Sequence, residues 1–111
     1  MPKTQRPLSP FATDAVRLLG QLVRKARIEK RMTTTDAAVR SGISRGLLNR
    51  IEKGDPTCAI GAAFEVAAVL GVPLFDSEQS TLAHTLTTNR ELMRLLPRSV
   101  RRRRTEVNDD F

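Results

Sequence analysis

The chain has 111 residues, enough for one small domain with appended segments. It holds four Phe, one Cys and one His and neither Trp nor Tyr, so the core must come from aliphatic residues and those four rings; an internal disulfide framework and a Cys-rich zinc site are excluded, and a His-based metal site is disfavoured. The net charge of +7 is uneven: residues 1–57 carry 12 Lys/Arg against 5 Asp/Glu, and residues 58–111 carry 7 against 7, which points to an anionic partner for the first half.

Residues 1–9, MPKTQRPLS, are polar and proline-rich and read as a flexible arm. No long apolar run opens the chain, so neither a signal peptide nor a membrane span is expected, and the protein reads as cytoplasmic. Ser9 and Pro10 suit the cap and first position of a helix, with Thr13 a competing cap. That helix is expected to run to about Arg31. Ala15, Leu19, Leu22, Val23 and Ala26 form its apolar line, and Arg17, Arg24, Lys25 and Arg27 form a solvated or phosphate-facing stripe.

Residues 33–54, TTTDAAVRSGISRGLLNRIEKG, are the most informative stretch. Thr33 and Asp36 form a capping-box pattern for a short helix. Ala37 and Ala38 leave room for a crossing helix, and Gly42 stands where a tight turn needs positive φ. Ile43 plugs the turn, Ser44 caps the next helix and Gly54 ends it. In that helix Leu48 and Ile51 stand three apart and face inward, while Arg45, Asn49 and Arg50 lie outside. This is a helix-turn-helix whose second helix suits a DNA major groove, where Arg bonds guanine acceptors and Asn pairs with adenine.

Asp55-Pro56-Thr57-Cys58 marks a turn, residues 57–60 are expected to be briefly extended, and a helix follows over about 61–70. Ala63, Phe64, Val66, Ala67 and Leu70 face the core there, Gly71 closes the helix and Pro73 prevents its return. Residues 77–86 are helix-compatible, and Thr88-Asn89-Arg90-Glu91 reads as a capping box opening a separate short helix through Leu96, stopped by Pro97. Leu82, Leu86, Met93 and Leu96 make a stripe that packs on the parent domain or forms a dimer seam. Arg98, Arg101, Arg102, Arg103 and Arg104 then precede an acidic tip with Asp109, Asp110 and the terminal Phe111; this charge-rich end is expected to be mobile when alone.

No catalytic constellation emerges. His84 has no evident nucleophile to serve, Cys58 suits a small apolar filler, and the glycines do not form a phosphate loop, so no enzyme activity, cofactor or metal is expected. Function should reside in binding. Phosphate contacts fall to Arg24, Thr33, Thr34, Ser44 and Lys53, helped by backbone amides at the two helix starts. Base reading falls to Arg45, Asn49 and Arg50, with Leu47 against a thymine methyl; Gly46 either allows close approach to DNA or is merely tolerated.

The spacing resembles the Xre/lambda-repressor-like family over roughly residues 18–75. The matching residues are Leu19-Gly20, Val23-Arg24, Ala26-Arg27, Met32-Thr33, Ala38, Gly42-Ile43-Ser44, the run from Leu48 to Glu52, Gly54, and Val69-Leu70-Gly71-Val72. Thr34 departs from the Gln frequent at its position and is shorter. The resemblance implies an all-α bundle with a helix-turn-helix over residues 10–75, followed here by a helical extension over 76–97 and a tail over 98–111. Gly54-Asp55-Pro56-Thr57, Ile60-Gly61, Leu96-Pro97-Arg98, the arginine run and the final Asp-Asp-Phe look like the HipB-like branch. That likeness implies a homodimeric repressor on a palindromic operator, acting as antitoxin or autoregulator beside a HipA-type serine/threonine kinase. The tail (Arg98, Arg101–Arg104, Asp109–Phe111) has three readings: docking on such a partner with Phe111 in an apolar pocket, favoured because phosphate would repel the acidic tip; an arginine arm along the DNA minor groove; or a solvated end without a role. Two alternatives remain: a free-standing regulator of the same family, and a protein-interaction subunit that does not bind DNA.

Overall fold

A computed structural model describes residues 7–75 and 77–100. It holds five helices in chain order: α1 (Pro10–Glu29), α2 (Thr34–Ser41), α3 (Arg45–Glu52), α4 (Ile60–Leu70) and α5 (Gln79–Arg94). The architecture is all-α, as the sequence implies; among the described residues the sole strand-like feature is an isolated bridge between Leu74 and Ser77. No described helix is long and apolar enough to cross a membrane. The chain divides into two compact units, one up to Gln79 and one from Ser80 onward.

In the first unit the helix ends follow local chemistry. Ser9 caps α1, its hydroxyl accepting from the Ala12 amide at 3.1 Å, so Ser9 prevails over Thr13. α1 stops at Glu29, two residues before the expected end, because Arg31 takes a left-handed φ of 58° and the Met32 amide turns back to the Arg27 carbonyl at 3.1 Å. This is the closing motif usually supplied by glycine, here built on an arginine at a conformational cost of about 1–2 kcal/mol. Thr33 and Asp36 form the expected reciprocal capping box on α2. Gly42 at φ 69° closes α2, and the Ile43 amide bonds the Ala38 carbonyl at 3.0 Å, which turns Ile43 onto the core. Ser44 caps α3 through the Leu47 amide at 3.0 Å.

The core joins these four helices. Val23, Ala37, Ala38, Leu48, Ile51, Val66, Ala67, Leu70 and Val72 are buried. Leu22, expected on the apolar line of α1, is instead substantially exposed. Gly20 faces inward one turn before the buried Val23: a Cβ there would overlap the Ile51 carbonyl oxygen and lie 2.9 Å from that of Glu52. The backbones of α1 and α3 thus approach more closely than any side chain would allow.

Arg27 departs furthest from expectation. It does not join the solvated basic stripe of α1. Its Nε and Nη2 donate to the two Glu52 carboxylate oxygens at 2.7 and 3.1 Å, and Nη1 donates to the Met32 carbonyl at 3.0 Å. The two side chains are only 13% and 7% exposed. The hydrogen bond to Glu52, and then its charge, hold the Arg27 pKa above its ordinary value against the opposing effect of burial. One guanidinium therefore ties α1 to the end of α3 and to the turn that enters α2.

Two further corrections concern later elements. α4 begins at Ile60, within the stretch expected to be extended. In the second unit, α5 passes uninterrupted through Thr88, where a new helix was expected to start. The capping pattern there is not used as a cap. Thr87 instead donates its hydroxyl to the Ala83 carbonyl at 3.1 Å within one continuous helix.

Removing one partner of the buried pair leaves the other charge stranded. Arg27→Ala is therefore expected to lower unfolding stability by about 3–5 kcal/mol, and the double variant Arg27→Met, Glu52→Leu to recover much of it. Urea denaturation followed by circular dichroism checks both; a single variant no weaker than the double one would contradict the account.

Candidate nucleic-acid interface

α3 is amphipathic, with Leu48 and Ile51 buried. Successive helical residues turn by about 100°, so Gly46 and Lys53 lie nearest the direction opposite that pair, with Asn49 and Arg50 about 50° to either side and Arg45 farther round beyond Asn49. All five are exposed. Leu47 falls on the flank nearer the core, where it is half-buried and packed against the apolar cluster, so its side chain is only partly offered outward. Gly46 faces open space: a Cβ added there would meet no protein atom within 4 Å. The protein's own packing therefore does not require glycine at this position.

The outward side chains differ in commitment. Among the described residues, neither Arg45 nor Asn49 spends its side chain on a protein hydrogen bond. Arg50 is engaged. Its Nε donates to Asp55 Oδ2 at 2.9 Å, and its Nη2 donates to Thr57 Oγ1 at 2.9 Å. Thr57 in turn donates its hydroxyl to Asp55 Oδ1 at 2.6 Å and its amide to the same oxygen at 2.8 Å. This closed ring pins the loop after α3 against the outer face of the helix. The two donations from Thr57, reinforced by Arg50, hold the Asp55 carboxyl down at about 2. Bonding to Asp55 raises Arg50 in the same way. Among the described residues, Arg50 thus carries a local counter-charge that Arg45 and Lys53 do not share.

The phosphate candidates take two kinds of position. Thr33, Thr34 and Ser44 stand at the N-terminal ends of α2 and α3, where unpaired amides carry partial positive charge. The Thr33 and Ser44 oxygens already accept from their own helices, which leaves their hydroxyl hydrogens to donate outward. Arg24 is exposed on α1, and Lys53 is exposed at the C-cap of α3. Arg98 is exposed, while Arg101–Arg104, Asp109, Asp110 and Phe111 lie outside the described residues.

Residues 23–76 match the model of a helix-turn-helix family. The match opens inside α1 and closes just before α5, so it takes in α2, α3 and α4 whole. Such a helix-turn-helix is the hallmark of a DNA-binding regulatory domain, and α2 and α3 are its two helices. No curated protein and no solved structure matches the chain. The helix-turn-helix also depends on residues whose structural roles were not foreseen from the sequence. Gly20 and the Arg27–Glu52 pair set the pose of α3, and Asp55 with Thr57 sets the pose of Arg50. A sign of the second was present in the sequence: Asp55, Pro56 and Thr57 form a turn tripeptide whose side chains commonly bond within the turn.

The ring gives a pH signature. Because the Asp55 pKa is depressed, the ring's contribution is complete above the usual carboxylate range and is lost as pH falls through about 2. Carboxyl NMR titration is expected to place the Asp55 midpoint near that value, and both Thr57→Val and Arg50→Ala should move it upward. A midpoint in the usual range in the unmodified protein would show that the ring does not form in solution.

Proposed function

We propose that this protein is a sequence-specific transcriptional repressor that reads DNA with α3 and positions itself with the N-terminal ends of α2 and α3. The observation that carries this reading is the outer face of α3. It presents Arg45 and Asn49, among the described residues free of side-chain partners, beside a glycine that leaves the backbone open, within the half of the chain that holds the whole positive excess. Arg45 and Asn49 are the base-reading pair. Arg50 reads through whichever donors its ring leaves free, while Arg24, Thr33, Thr34, Ser44 and Lys53 meet phosphates. A single module of this size covers few base pairs, so tight recognition calls for a homodimer on a palindromic operator, with half-sites about 34 Å apart.

The finer reading is that of a cytoplasmic HipB-like antitoxin or autorepressor beside a HipA-type kinase. It is supported by the sequence likeness at Gly54–Thr57, Ile60-Gly61 and the charged end of the chain. In this reading Arg98, Arg101–Arg104, Asp109, Asp110 and Phe111 dock on the kinase. Deleting residues 98–111 is then expected to abolish kinase binding in a pull-down and to leave operator affinity nearly unchanged. Weakened operator binding with a shallower salt dependence would instead assign the arginines to DNA.

The base-reading assignment has its own test on a duplex selected from a randomised library. Asn49→Ala is expected to weaken the selected duplex by about 1–3 kcal/mol and scrambled DNA far less, whereas Lys53→Ala should weaken both alike. Gly46→Ala should stabilise the free fold by about 0.5–1 kcal/mol while weakening the selected complex. Gel-shift titrations report all three; equal losses on both duplexes for Asn49→Ala would remove it from base reading.

A further inference from the structure

Among the described residues, two other than glycine take a left-handed backbone: Arg31 at φ 58° and Phe75 at φ 54°. That conformation is strained for any residue with a Cβ, and it persists where the surroundings or the use of the side chain compensate. For Phe75 the compensation lies within the first unit: its ring meets that of Phe64 edge-on, with centroids 6.2 Å apart. Arg31 shows no such contact. It is exposed and belongs neither to the buried core nor to the residues packed on it. Among the described residues its guanidinium enters no hydrogen bond and no ion pair. The turn itself does not need the side chain. The Arg31 amide donates to the Ile28 carbonyl at 2.9 Å, the Met32 amide donates to that of Arg27 at 3.1 Å, and the Arg27 guanidinium holds the Met32 carbonyl. Glycine would close this turn without strain.

We propose that Arg31 binds a phosphate of the DNA backbone from the turn that enters α2. This rests on the DNA-binding reading, in which Thr33 and Thr34 meet phosphate at the same place. Arg31 stands two residues before Thr33, the N-cap of α2, so their Cα atoms are at most about 7 Å apart. Without Arg31 this end of α2 is a poor place for an anion. Asp36 lies in its first turn, and its carboxylate, which accepts from the Thr33 amide at 3.4 Å, opposes the positive charge of the helix end. An exposed cation on the entering turn restores the attraction. Its placement is also favourable. The bonds of the turn hold the backbone on both sides of Arg31, while the guanidinium is left with all its donors for two oxygens of one phosphate.

Arg31→Gly separates fold from function, because it is expected to help the first and harm the second. Thermal unfolding of the full chain, followed by circular dichroism, should show a midpoint raised by a few degrees. Gel-shift titration should show affinity for the selected duplex and for scrambled DNA falling alike, by about three- to tenfold at low salt, with the slope of log affinity against log salt shallower by about one. Arg31→Asn removes the charge and keeps a residue tolerant of the left-handed backbone; it should lose affinity to the same extent. Unchanged affinity and slope for Arg31→Gly, in a protein that Lys53→Ala does weaken, would overturn the Arg31 contact and leave the DNA-binding reading standing. A wild-type chain that binds neither duplex at low salt would remove both. A loss confined to the selected duplex would assign Arg31 to base reading, and a lowered midpoint would show that the arginine serves the turn itself; either result overturns the proposal.

Discussion

The bidentate pair between Arg27 and Glu52 is the interaction on which the helix-turn-helix depends. It joins the end of α1 to the end of α3, and through the Met32 carbonyl it also holds the turn into α2. A short helix such as α3 is marginal alone and takes its orientation from packing. That orientation is set at its last turn, where Gly20 lets α1 touch the carbonyls of Ile51 and Glu52 and the ion pair fixes the rotation. Both charges are largely shielded from water, so salt screens this contact little. DNA affinity and the pose of α3 therefore answer differently to ionic strength: phosphate attraction fades with salt and the scaffold persists.

The cations of the first unit thus divide by task. Arg27 is structural, Arg50 is tied into a ring with Asp55 and Thr57, and Arg45 and Lys53 are exposed on the outer face with no ion pair among the described residues. The ring places a carboxylate beside the helix that is to approach a polyanion. This lowers the general attraction near Arg50 while holding its guanidinium in one orientation. An arginine held in place loses less side-chain entropy on binding than a free one. In the proposed function, discrimination then comes from a few oriented groups, with the helix N-termini, Arg24 and Lys53 proposed to supply the less selective attraction.

The parts of this structure legible in the sequence are those governed by neighbours in the chain. Thr33 with Asp36, Gly42, Ser44, Gly54 and Gly71 each act within a few residues, and the inward positions of Leu48 and Ile51 follow from helical period. The Arg27–Glu52 pair spans 25 residues, and no local pattern separates Arg27 from the solvated arginines around it. The early end of α1 was hidden because Arg31 adopts a conformation normally left to glycine. The supposed helix start at Thr88 has the right residues for a cap, but no Gly or Pro breaks the chain before it, and the preceding helix simply continues. The outward set on α3 was visible in outline. The engagement of Arg50 and the half-burial of Leu47 required knowing where the following loop and the core lie.

The central claim is that the outer face of α3, held in place by α1, is the surface that meets DNA. Amide chemical-shift mapping during titration with a short mixed-sequence duplex tests it most directly, since non-specific contacts use the same phosphate-facing groups. The account predicts that the largest shifts fall at the starts of α2 and α3 and along α3 to Lys53, with α4 little changed. Shifts centred instead on the apolar groove between α1 and α4, lined by Val16, Ile60 and Phe64, or no shifts at low salt, would contradict it.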